Sequence, residues 1–209
     1  MFTIGSMQLT DAVRRRRMVR NYDPQQRVDR AVLIDLLSLA VRAPSAGFTQ
    51  GWQFLVLDQP ADVDRFWAAT VTETGQADSW LAGMRTAPAL IIAMSDKQAY
   101  LRRYAEPDKG WTDQDENRWP VPYWDIDTGM ASLILLLGAL DRGLGSCFFG
   151  VPPSAHTAVR AQFGIPEGLR FVGVISVGVP APDRKSPSLK RGRRQLTEVI
   201  SFGNYSNHN

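Results

Sequence analysis

Apolar positions along this 209-residue chain alternate between stretches with helical spacing and short continuous runs of strand length. Between Asp29 and Val41, the residues Val32, Leu33, Leu36, Leu37, Ala40 and Val41 recur at intervals of three and four, which predicts a helix with one apolar face. Leu9 to Met18 predicts an earlier helix, whose arginines run on into Asn21-Tyr22-Asp23-Pro24, where proline turns the chain. Trp52 to Leu57 has the length and content of a strand, and Ala61 to Thr72 that of a surface helix. Pro88 to Met94 is apolar without alternation, which predicts a strand covered on both faces. Asp127 to Asp141 is apolar all round, so it predicts a buried helix, ended by Gly143. Leu144 to Val151 follows as a turn and strand, Pro153 to Phe163 as a helix closed by Gly164, and Phe171 to Val179 as a further buried strand before a basic, proline-bearing tail. Helices interleaved with strands predict an α+β sandwich of helices on a central sheet, in one domain spanning 1–209.

One stretch departs from this pattern. Ser95 to Trp124 is polar, yet it carries Tyr100, Tyr104, Trp111, Trp119, Tyr123 and Trp124, and Pro107, Pro120 and Pro122 discourage long regular elements there. It predicts an aromatic insert, either a lid or an excursion packed on the body.

Composition excludes several classes. With 44% apolar residues the chain can bury a core without covalent staples, and its single Cys147 forms no internal disulfide. His156 and His208 with that one cysteine do not make a zinc-ligand set, so no metal is expected. The longest strongly apolar stretch, Met130 to Leu140, is shorter than the roughly 20 residues that cross a bilayer, and no signal-peptide pattern opens the chain. A cytoplasmic protein with no membrane partner is expected.

Twenty-four Lys and Arg against 21 Asp and Glu give a net charge of +3, too mild to argue for nucleic acid, and no recognisable reading helix is present. The distribution is more telling. Arg14 to Arg17 with Arg20 form one basic cluster, and Arg184, Lys185, Lys190, Arg191, Arg193 and Arg194 form another. Two such clusters could converge on one small anion.

Three segments could carry chemistry. In Arg16-Arg17-Met18-Val19-Arg20 the guanidinium groups suit phosphate, and a helix would place Arg16 and Arg20 on one face; a solvated charged face is the alternative. Ala43-Pro44-Ser45-Ala46-Gly47-Phe48-Thr49-Gln50-Gly51-Trp52-Gln53 would let backbone approach a flat ligand, or it is a turn with Trp52 as a core anchor. Gly143-Leu144-Gly145-Ser146-Cys147-Phe148-Phe149-Gly150 lacks dinucleotide-fingerprint spacing but could present backbone N–H groups, and Cys147 within it suits a buried structural thiol.

Taken in order, the Arg-Arg-x-x-Arg-x-Tyr segment, the Ala-Pro-Ser-x-x-x-x-Gln-x-Trp loop, Gly-Leu-Gly-Ser-Cys-Phe-Phe-Gly, and the close Val177-Gly178-Val179-Pro180 with Leu196-Thr197-Glu198-Val199-Ile200 resemble the flavin-dependent nitroreductase family. The resemblance covers nearly the whole chain except 95–124. It implies a three-layer α-β-α sandwich with a central mixed, mostly antiparallel sheet, assembled as an intertwined homodimer. It also implies FMN held noncovalently, with NADPH or NADH as electron donor and a nitroaromatic, quinone or similar flat acceptor, reduced by ping-pong hydride transfer. By the same resemblance Arg16, Arg17, Met18 and Arg20 are N-terminal cofactor contacts, and Arg191 and Arg193 phosphate ligands. Pro44, Ser45, Ala46 and Phe48 reach the flavin from the second subunit, while Phe148, Phe149 and Gly150 lie beside its ring. Met18 stands where many members have Ser, and Phe48 where many have Asn. No residue is expected as an obligatory acid or base. Relatives that use F420, act on an endogenous flavin, or sequester flavin without turnover are the rival readings.

Overall fold

The structure is a computed structural model that describes residues 7–70, 79–184 and 186–205. Residues 71 and 72 of the expected surface helix, Lys185 and His208 lie outside the described residues.

Four strands form one sheet: β1 (Trp52–Leu57), β2 (Ala89–Asp96), β3 (Gly145–Phe149) and β4 (Leu169–Gly178), in the order β1-β2-β4-β3. Each pairing is antiparallel, with Ile92 opposite Val174 and Cys147 opposite Ser176, so the parallel pair of a mixed sheet is absent among the described residues. Strand β2 explains the layers. Its alternate side chains feed two cores, as strand geometry requires. Leu90, Ile92 and Met94 join Phe66, Trp67 and Val159 from helices α3 (Pro60–Thr70) and α7 (His156–Phe163). Ala89, Ile91 and Ala93 join Leu33, Leu36, Ala40, Leu135 and Ala139 from α2 (Arg30–Ala40) and α6 (Tyr123–Asp141). Both faces of the strand are therefore dry, which is why its sequence carries no polar alternation. The result is the three-layer α-β-α sandwich that the resemblance implied.

Helix α6 has 19 residues, longer than its strongly apolar stretch, and by length and composition alone it could cross a membrane. Here it lies on the sheet, packed against α2 and strands β1 to β4, and buries Asp127, Thr128 and Ser132 along with its apolar residues.

Three local expectations change. Helix α1 (Leu9–Arg15) stops before Met18: Arg16 already has an extended ψ of 127°, so Arg16 and Arg20 do not share a helical face. Tertiary pairing overrides helix propensity here, because Val19 and Tyr22 are buried in the core and Tyr22 bridges to Pro180. A short helix, α4 (Ser79–Met84), follows the segment outside the described residues. The aromatic insert is also more regular than its prolines suggested, since it holds α5 (Lys97–Tyr104), capped where Asp96 accepts from the Ala99 N–H at 3.1 Å, and a 3-10 turn at Glu116–Arg118. Its rings pack mainly on one another: Tyr104 and Trp119 lie 4.5 Å apart, Trp111 and Trp119 5.5 Å, and Tyr100 and Trp124 6.2 Å.

Candidate functional site

The arginine segment runs extended beside β3. The Val19 N–H donates to the Ser146 carbonyl at 2.9 Å, and the Phe148 N–H donates to Met18 Sδ at 3.4 Å. Tyr22 fixes the far end: its hydroxyl donates to the Val19 carbonyl at 2.7 Å and lies 2.7 Å from Ser176 Oγ. Burial pushes that phenol well above its ordinary pKa, so it stays protonated and keeps donating.

With the backbone held, the side chains divide. Arg17 pairs with Asp183 at 3.2 Å, and the same carboxylate accepts the Arg20 N–H at 2.9 Å. Arg20 sends Nη1 to the Met18 carbonyl at 3.2 Å. Neither Arg16 nor Arg20 has a carboxylate partner among the described residues, and Arg16 Nη1 is buried with no hydrogen-bond partner at all. A buried, unpaired guanidinium nitrogen is costly unless a ligand completes it.

Two cavities flank this segment. One, of about 820 Å³, is lined by Arg15, Arg16, Arg17, Gly145, Ser146 and Asp141 among others. The other, of about 620 Å³, is lined by Arg20, Asn21, Trp80, Asp183, Arg184 and Ser186. Both fall in the size range of small-molecule sites. Cys147 lies behind them, buried, and desolvation raises its pKa against the pull of Arg20 and Arg16, which leaves an inert thiol at neutral pH.

The remaining expected residues are dispersed. Phe148 covers Gly173, where an added Cβ would lie 2.2 Å from the ring. Phe149 points to the opposite core, stacked on Trp67 at 5.6 Å with an 8° interplanar angle, and Gly150 is exposed just past the strand. Pro44, Ser45, Ala46 and Phe48 lie at another end of the molecule, at the loop between α2 and β1, and line neither cavity. Arg191 and Arg193 are exposed and also line neither cavity; it is Arg184 that shares a cavity with Arg20. The tail meets the arginine segment where the Ala181 N–H donates to the Asn21 carbonyl at 3.1 Å, Asn21 Nδ2 donates to the Pro182 carbonyl at 2.8 Å and Asp183 meets the arginines, and further on Leu196, Val199 and Phe202 are exposed.

Sequence reasoning missed Asp183 and Ser146. Asp183 had a signal, as the one acidic residue beside a basic run; Ser146 had none beyond its place in the glycine-bearing turn. Among the described residues, no group of three His, Cys, Asp or Glu is placed to hold a metal ion.

The model of the Nitroreductase family matches residues 13–179, which include the arginine segment, the α2–β1 loop and all four strands. The chain belongs to the nitroreductase family. It is 28% identical over 171 residues to an Archaeoglobus fulgidus protein named as a candidate NADH dehydrogenase/NAD(P)H nitroreductase, covering 81% of this chain and 83% of that one. Among solved structures it is similar to a nitroreductase family protein from Streptococcus pneumoniae TIGR4, with a TM-score of 0.69 at 19% identity over 93% of this chain and 99% of that chain. It is similar also to a candidate nitroreductase from Exiguobacterium sibiricum 255-15 in complex with FMN, with a TM-score of 0.64 at 20% identity over 91% and 98% of the two chains. The two structural likenesses establish the fold of this nitroreductase-family chain, and it is the Archaeoglobus fulgidus relative whose name carries the dinucleotide.

Proposed function

We propose that this nitroreductase-family chain is an FMN-dependent NAD(P)H oxidoreductase that reduces nitroaromatics, quinones or related flat acceptors. The observation that carries the reading is Arg16 Nη1, buried and unpartnered at a cavity of about 820 Å³. A flavin phosphate bears close to two negative charges, and charge-assisted hydrogen bonds from a guanidinium fork match it. The residues therefore fit the cofactor.

When bound, FMN supplies hydride acceptance and donation, which no side chain can provide. Arg16 would hold the anionic part of the cofactor at the first cavity, Arg20 would meet a polar part of it from the second, and Arg191 and Arg193 would close on it from the exposed tail. Asp183 keeps Arg17 paired and fixes the Arg20 backbone, so the segment does not collapse into the site. Phe148, with its N–H on Met18, fixes the strand edge that would face the ring. No side chain is required to move a proton, since solvent serves.

The working form is a cytoplasmic homodimer in which Pro44, Ser45, Ala46 and Phe48 of a second copy face the cofactor. Its support is the exposed apolar set Ile34, Ile126 and Leu133 on the packed pair α2 and α6. Nucleic acid and membrane are not partners in this reading.

Steady-state oxidation of NADH and of NADPH, with FMN saturating and a naphthoquinone or nitroarene as acceptor, tests it. Parallel double-reciprocal plots are expected from the alternation of donor and acceptor. Oxidation no faster than free FMN supports would overturn the proposal.

A further inference from the structure

The loop between α2 and β1 is held from behind by the aromatic insert. Asp127, 2% exposed, accepts the Ala46 N–H at 2.8 Å and the Tyr100 hydroxyl at 2.7 Å on the same oxygen. Arg103 donates Nε to the Gly47 carbonyl at 3.0 Å while its other nitrogens are engaged by Asp108 at 2.7 and 2.8 Å. Arg103 is thus fixed at both ends. Two tyrosine rings of α5 fill the space beneath: a Cβ on Gly47 would lie 2.7 Å from Tyr104 Cε2, and one on Gly51 2.5 Å from Tyr100 Cε2. The small residues of this loop are small because the insert touches them.

Against this support the loop adopts a backbone that its own residues disfavour. Phe48 and Gln50 both have φ of 54°, in the left-handed region, and neither is glycine. Such conformations persist where surrounding structure over-determines them, and they gather at ligand sites. The outcome here is specific: Phe48 is turned outward and is 76% exposed. Its ring is offered to something outside the chain.

We propose that Asp127, Tyr100 and Arg103 are positioning residues that present Phe48 as an aromatic wall, and that Phe48 determines preference for planar acceptors by stacking on them. Phe48 is the exposed ring of this loop, and an exposed aromatic ring stacks best on another flat ring, so a planar acceptor is the class that it selects. The inference rests on the flavin oxidoreductase reading, in which the loop of one copy faces the cofactor of the other.

The test uses the FMN-reconstituted enzyme with NADH and two acceptors, a naphthoquinone and ferricyanide, which has no ring to stack. Phe48→Ala should lower kcat/KM for the quinone about tenfold relative to ferricyanide, the loss of about one stacking contact. Arg103→Ala should lower the same ratio by relaxing the loop, and Arg103→Lys, which still reaches the Gly47 carbonyl, should restore most of it. Hydrogen exchange of the Ala46 amide, read without cofactor, should quicken in Tyr100→Phe and Arg103→Ala. An unchanged quinone-to-ferricyanide ratio in Phe48→Ala, with normal turnover, overturns the acceptor role alone. Unaltered Ala46 exchange in both clamp variants overturns the positioning role. Wild-type protein that turns over neither acceptor overturns the flavin reading and the acceptor role together, while the exchange measurement still decides the clamp.

Discussion

The Met18 thioether accepts the backbone N–H of Phe148 at 3.4 Å, and that contact ties the arginine segment to the strand beside which a flavin would lie. Sulfur is a weak acceptor, so the bond is modest, but it leaves no main-chain donor of Phe148 unused. A hydroxyl one residue type away would serve the ligand instead; here the side chain serves the fold.

Met18→Leu keeps the volume and removes the acceptor, so it isolates this bond. Stability should fall by about 0.5–1 kcal/mol, the usual worth of one neutral hydrogen bond, as read from urea denaturation. An unchanged midpoint would reduce Met18 to packing.

Arg16→Gln should behave in the opposite sense on stability and affinity. Removing a buried nitrogen that no group among the described residues satisfies costs the apo fold little, whereas a lost charge-assisted hydrogen bond to phosphate is worth about 1.5–3 kcal/mol. FMN affinity should therefore drop by about one to two orders of magnitude in a fluorescence-quenching titration, with the apo melting temperature unchanged or raised. Equal FMN affinity in the variant would remove Arg16 from the phosphate site.

Gly83→Ala tests how α4 docks on the same segment. An added Cβ would lie 2.2 Å from the Arg20 carbonyl oxygen, which is backbone and cannot rotate away. Either α4 or the Arg20 backbone must shift, at a cost of about 1–3 kcal/mol. The prediction is a lowered denaturation midpoint together with weaker FMN binding. A fully stable Gly83→Ala that binds FMN normally would show that the approach is looser than it looks.

The acid limb of stability should depend on Asp58. Its carboxylate accepts from Arg30 Nε at 2.6 Å and from Arg30 Nη2 at 2.8 Å, and that hydrogen-bonded pairing holds its pKa below the ordinary range despite burial. The folded pKa is depressed, so the contribution is complete above the unfolded value of about 3.9 and is lost as pH falls through the folded value. Asp58→Asn should lower stability at pH 7 and flatten the further loss below about pH 4 in urea titrations at several pH values. Parallel acid limbs in the two proteins would contradict this.

Much of this architecture was legible in the chain. Trp52–Leu57 matches its strand residue for residue, and the unbroken apolar run before Ser95 announced a strand with two dry faces. What was hidden depended on distant partners. Arg16 to Arg20 has good helix formers, yet Ser146 and Ser176 draw its backbone and Tyr22 into the sheet region. The insert has three prolines, but its helix α5 fits between Asp96 and Pro107 and is fastened by Asp127, 27 positions from Tyr100. The arginine segment and Arg184 were readable as parts of two basic clusters that could converge, whereas the pairing of Asp183 with Arg17, 166 positions away, was not, because nothing local links the two.

The central claim is that this fold carries FMN on its arginine segment, and the visible absorption spectrum of freshly purified protein tests it most directly, repeated after FMN addition and desalting, with the released chromophore identified by mass. The account predicts retained FMN, a spectrum bleached by NADH or NADPH and restored by a quinone. A colourless protein from which added FMN washes away would contradict it.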